Sequence, residues 1–142
     1  MSVKTKVGFA AAAVGLAAAS VFGAGSANAA SLHAAIAFSD EAWIYDYSVN
    51  EPSARAAEDV ALANCDEADC HIWAAWSDGC GVIVGAEDGS VGVGTGATRA
   101  EAENEAYHSL AEVSPTALLA TTGSANLVGT EVIDVICTAN AG

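Results

Sequence analysis

The chain carries one structural sentence twice. The stretch AAIAF…WIYDYSVNEPSARAAEDVALANC is followed, about 45 residues later, by GVIVG…SVGVGTGATRAEAENEAYHSL. Each copy reads as strand, strand, capped helix, and each is followed by one further strand. In the first copy, Ala34–Phe38 is a short apolar run and Ser39-Asp40-Glu41 is a turn. Trp43, Tyr45, Tyr47 and Val49 then alternate with Ile44, Asp46, Ser48 and Asn50, the period-two pattern of a half-buried strand with its aromatic face inward. Pro52-Ser53 opens a helix with Ser53 as N-cap, and Ala54, Ala57, Ala61 and Cys65 follow at helical spacing. Cys70–Trp76 is the closing strand.

After the turn Ser77-Asp78-Gly79, the second copy runs through Cys80–Val84, the turn Glu87-Asp88-Gly89 and the alternation of Val91, Val93 and Thr95 with glycines. Thr98 and Glu101 form a capping box ahead of the stripe Ala102, Ala106 and Leu110. A longer connection, Glu112 to Thr130, with a short helix after Pro115, leads to the last strand, Glu131–Cys137. These elements predict an α+β fold of two pseudo-symmetric ββαβ units, about 33–78 and 80–138, forming an antiparallel sheet with two helices. Neither unit could bury its apolar face alone.

The N-terminus sets the compartment. Lys4 and Lys6 precede an uncharged apolar run from Val7 to Phe22, and small residues end in Ala27-Asn28-Ala29. That order predicts a secretory signal peptide over 1–29, cleaved after Ala29, leaving 30–142 as a single secreted domain with no membrane span. The formal charge of the whole chain is −14. All 18 Asp and Glu follow Ala29 but only Arg55 and Arg99 of the basic residues do, so the mature domain carries −16. Such a surface excludes nucleic acid and anionic lipid, and favours cationic proteins or envelope components as partners. Much of the hydrophobic fraction of 53% is Ala, which buries little area. A thin core in a small exported domain calls for disulfides.

Read together, AIAFS, the aromatic alternating strand, A-x-x-x-A-L-x-x-C, C-x-I-W, C-G-V-I-V, T-R-A-E-A-E-x-x-A and the terminal Cys137 resemble the domain-of-unknown-function 4189 family. That family consists of secreted bacterial proteins common in actinobacteria. The resemblance spans about His33 to Cys137 and implies a secreted single domain without assigning a reaction. Family members often carry a Cys at the end of the second helix and a partner soon after. Here Leu110 stands at the helix position, and the long connection has no Cys.

The segment CDEADCH, Cys65 to His71, concentrates two thiols, three carboxylates and an imidazole. Exported thiols meet an oxidising environment, which favours disulfides over zinc. Were the strands after Cys70 and Cys80 to form a hairpin about Gly79, these two cysteines would lie at its opposite ends. Six extended residues span about 20 Å, whereas a disulfide needs Cα atoms within about 7 Å. Two of the three connectivities remain. Cys65 at a helix end and Cys70 at a strand start are close in sequence and can meet, so the expected pairing is Cys65–Cys70 with Cys80–Cys137, in accord with the missing cysteines of the second copy. Asp66, Glu67 and Asp69, beyond the C-terminal end of a helix, form a weak calcium candidate without EF-hand spacing.

No other constellation carries recognisable chemistry. There is no G-x-S-x-G elbow, GSVGVGTG lacks phosphate-loop spacing, and His33, His71 and His108 stand apart in sequence. No catalytic residue, cofactor or cofactor-binding residue is assigned. Trp73 and Trp76 lie an odd number apart, so a regular strand would send one to the core and expose the other as a contact patch. The reading that results is a secreted, disulfide-stabilised, non-enzymatic interaction module. The alternatives are a small extracellular hydrolase using carboxylates and a secreted protease inhibitor presenting the Glu112–Thr130 loop.

Overall fold

The computed structural model describes residues 29–125 and 128–142. Residues 1–28 of the predicted signal peptide lie outside the described residues. Among the described residues the elements follow in order: β1 (His33–Ser39), β2 (Ile44–Glu51), α1 (Ala54–Cys65), β3 (His71–Ser77), β4 (Cys80–Ala86), β5 (Val91–Gly96), α2 (Arg99–Ala111), a 3-10 helix (Pro115–Thr122) and β6 (Thr130–Cys137). The class is α+β. Its strands divide into two antiparallel three-stranded sheets, ordered β2-β1-β3 and β5-β4-β6.

The two sheets pack face to face. Ile36 from one sheet and Ile83 and Ile136 from the other form a buried cluster, with Tyr45, Val49, Trp73, Trp76 and Val93 packed around it. Each outer face carries a helix. Ala57, Ala61 and Cys65 of α1 cover Ala35 and Ala37. Ala102, Ala106, Tyr107 and Leu110 of α2 cover Val82 and Val84, joined by Ala117 and Ala120 of the 3-10 helix. Alternation along β1 and β4 sends one set of residues to the helix and the other to the facing sheet. The layers run helix, sheet, sheet, helix.

Local chemistry fixes the ends of the helices. The Ser53 side chain accepts from the Ala56 amide at 3.2 Å, and Thr98 and Glu101 complete a capping box. Helix α1 stops at Asp66, whose φ of 54° lies in the left-handed region.

Cys80 and Cys137 face one another across β4 and β6 and are bonded. Cys65 and Cys70 are bonded across the loop after α1. The strands before and after Gly79 do not form the hairpin considered from sequence, since β3 pairs with β1 while β4 pairs with β5 and β6. The chain changes sheets at this turn because Asp78 ties it elsewhere. Its carboxylate accepts from the Leu32 amide at 2.9 Å and from Asn140 Nδ2 at 2.6 Å. Its amide donates to the Leu32 carbonyl at 2.9 Å.

Each half also carries a bulge at the same place. The register slips between Ile36 and Ala37 opposite Trp73, and between Ile83 and Val84 opposite Ile133. One extra residue reverses the alternation. Trp73 therefore stays on the face that Trp76 occupies, and both join the cluster between the sheets. The expectation that they face opposite sides, one of them forming an exposed patch, is corrected by this bulge.

Candidate functional site

The exposed tryptophan is Trp43, at 59% exposure. It does not continue the inward aromatic face of β2; it closes the turn between β1 and β2. A turn places Trp43 outside the strand, so strand alternation extended one residue too far misreads it. Its φ of 56° puts a bulky side chain in the left-handed region, a costly conformation that persists only when neighbours enforce it.

The enforcing contacts converge from one carboxylate. Ser39 Oγ donates to Asp69 Oδ1 at 2.6 Å. The Glu41 amide donates to Asp69 Oδ2 at 2.9 Å. Ser39 Oγ also accepts from the Ala42 amide at 3.0 Å, and the Trp43 amide reaches the Ser39 carbonyl at 3.0 Å. Hydrogen bonds from the Ser39 hydroxyl and then the Glu41 amide hold the Asp69 carboxyl below the usual carboxylate range. Asp69 precedes Cys70, so the Cys65–Cys70 bridge fixes the loop that supplies this carboxylate.

An aromatic bed lies under the turn. The Phe38 ring, 7% exposed, meets Trp43 edge-on at 5.2 Å and Trp73 at 4.9 Å. His71 approaches Phe38 at 6.3 Å, and its Nδ1 lies 3.7 Å from Asp40 Oδ2. Beyond Trp43, Ile44 and Tyr47 are exposed at 41% and 37%. The Tyr45 hydroxyl instead crosses to the other sheet and donates to Asp134 Oδ2 at 3.2 Å.

The other sequence candidates are placed apart from any common centre. Among the described residues, no group of three or more His, Cys, Asp or Glu side chains could hold a metal ion. Asp66 caps α1, Glu67 accepts from the Cys70 amide through its carbonyl at 3.2 Å, and Asp69 serves the turn. His33 pairs with Ser77 in the sheet, and His108 lies on α2.

Two shallow clefts lie on the second half. One, of about 350 Å³, is lined by Ala86, Glu87, Gly129, Thr130 and Glu131. The other, of about 230 Å³, lies beside Glu103, Tyr107 and Thr121. Burial, then the charge of Glu103, raises the Tyr107 pKa. Asp78 and Asp88 are lowered, chiefly by hydrogen bonds from Asn140 and from the Ser90 amide respectively. Both carboxylates hold backbone turns, as Asp69 does.

The 3-10 helix buries Ala117 and Ala120 and leaves Val113, Leu118 and Leu119 exposed nearby. The long connection is helical over Pro115–Thr122, the short helix expected after Pro115. No helix among the described residues is long and apolar enough to cross a membrane.

A family described as domain of unknown function (DUF4189) matches residues 33–122. The match takes in both sheet-forming units as far as the 3-10 helix and stops before β6. No curated protein and no solved structure matches the chain.

Proposed function

Given that the chain belongs to the domain-of-unknown-function family DUF4189, we propose that it is a secreted, disulfide-braced interaction module without catalytic activity, working outside the cell or at its envelope. The observation that carries this reading is the Trp43 turn. A large aromatic side chain is held outward, in a strained backbone conformation, by a carboxylate network and a bridge. Strain of this kind is kept where a surface must have one shape. Export is supported by the signal-type N-terminus and by two disulfides with no free cysteine among the described residues. The strong negative charge supports a cationic partner.

The test is parallel affinity capture from culture supernatant and envelope extract, using the oxidised mature protein and its Trp43→Ala variant. A partner retained by the first bait, absent from the second and released by high salt supports the reading. Turnover of a substrate by the pure protein refutes it.

A further inference from the structure

We infer that the Trp43 turn is a docking site for an arginine-bearing cationic segment of a partner protein, with the guanidinium laid on the exposed indole and hydrogen-bonded to Asp40 and Glu41. This rests on the interaction reading above and gives its partner a chemistry. Three observations select it. First, the exposed apolar surface and two carboxylates belong to one short turn, Asp40-Glu41-Ala42-Trp43, continued by Ile44.

Second, among the described residues neither arginine reaches that turn, and only the His71 ring lies beside Asp40. Arg55 pairs with Asp59 along α1 at 3.7 Å, and Arg99 pairs with Glu103 along α2 at 3.8 Å.

Third, the net charge of −14 repels both a second copy of this chain and an anionic lipid surface, the other natural occupants of an exposed aromatic patch.

Arginine fits better than lysine for a physical reason. Its planar guanidinium stacks on an aromatic face and forks onto carboxylates, whereas an ammonium is a strongly hydrated point charge. A pre-formed turn adds to this, because the ordering of residues 39–43 is complete before the partner arrives. The Ser39, Glu41 and Ala42 contacts to and around Asp69 supply that order.

The experiment is calorimetric titration of the oxidised protein with a peptide of nine arginines, and with nine-residue lysine and glutamine peptides, at low and physiological salt. The expected order is arginine above lysine, with no binding of glutamine. Trp43→Ala should weaken arginine-peptide binding about five- to thirty-fold, and Trp43→Phe should restore part of it. The double variant Asp40→Asn/Glu41→Gln, which leaves the indole in place, should weaken it as well and flatten its salt dependence. A thermal melt of each variant confirms folding.

Equal binding of arginine and lysine peptides, unchanged by Trp43→Ala, would mean diffuse charge attraction and overturn the site. Absence of binding to either peptide would overturn it too. A captured partner that is uncharged yet still depends on Trp43 would overturn the arginine assignment while leaving the interaction module intact.

Discussion

The two halves share element order, helix caps and even the position of a bulge, yet they seat their helices differently. In the second half, α2 lies directly on β5. A Cβ added at Gly92 would meet the Ala106 carbonyl and the Leu110 amide at 2.6 Å, and one at Gly94 would strike the Ala106 amide. The glycines let helix and strand backbones touch, and Leu110, Tyr107, Val82 and Val84 fill the space beside them. In the first half, β2 has no such stripe. Its inward position toward α1 is Ser48, whose hydroxyl donates to the Ala57 carbonyl at 2.6 Å, and the buried core beneath is four alanines and Cys65.

The first half is thinner, and its bridge closes a loop of sequence separation 5 rather than 57. In the chain-entropy model the longer loop closed in the second half stabilises more. The first spends its bridge on shaping a surface.

The long bridge is the sharpest place to test that contrast. Removing it as Cys80→Ala/Cys137→Ala should cost about 4 kcal/mol in the chain-entropy model, read by denaturant unfolding. Gly94→Ala should come next, at about 3 kcal/mol, because the clash is with helix backbone that cannot yield. The corresponding change on the first half, Ser48→Ala, should cost about 1 kcal/mol for one lost hydrogen bond. If Ser48→Ala costs as much as Gly94→Ala, the halves are not differently seated.

Removing the short bridge as Cys65→Ala/Cys70→Ala should cost about 2 kcal/mol in the same chain-entropy model. Its distinctive effect should be local. The Glu41 and Trp43 amides should lose hydrogen-exchange protection while β4 and α2 keep theirs. Uniform loss across both halves would remove the shaping role.

The smallest effect is in pH. Asp69 is held below its ordinary value of 3.8, so its carboxylate supports the turn above that value and releases it as pH falls through the lower, folded-state pKa. The Glu41 amide resonance should follow that titration, with a midpoint below 3.8. A midpoint at or above 3.8 would show that Ser39 and Glu41 do not hold the carboxylate.

Much of this scaffold can be read from the chain itself. The caps at Ser53 and Thr98, the apolar runs of β1 and β4 and the alternating glycines of β5 are local patterns, and local patterns survive in sequence. The division into two sheets does not survive, because it depends on Asp78 meeting Leu32 and Asn140, residues far apart in the chain. Nor do the bulges at Trp73 and Ile133, where a single extra residue reverses the faces without leaving a glycine or proline to mark it. The candidate surface was half legible. CDEADCH stands out as acidic and bridged, but its function in the fold is to reach back thirty residues, from Asp69 to Ser39. That contact, not the local acidity, brings Trp43 to the surface.

Amide-resolved NMR titration of the oxidised protein with the nine-arginine peptide tests the division of labour most directly. Shifts should gather on residues 40–47 and 69–73 and on the Trp43 indole N–H, with α2 and the 3-10 helix unmoved. Shifts centred instead on Val113, Leu118 and Leu119, or spread evenly over the acidic surface of both halves, would contradict it.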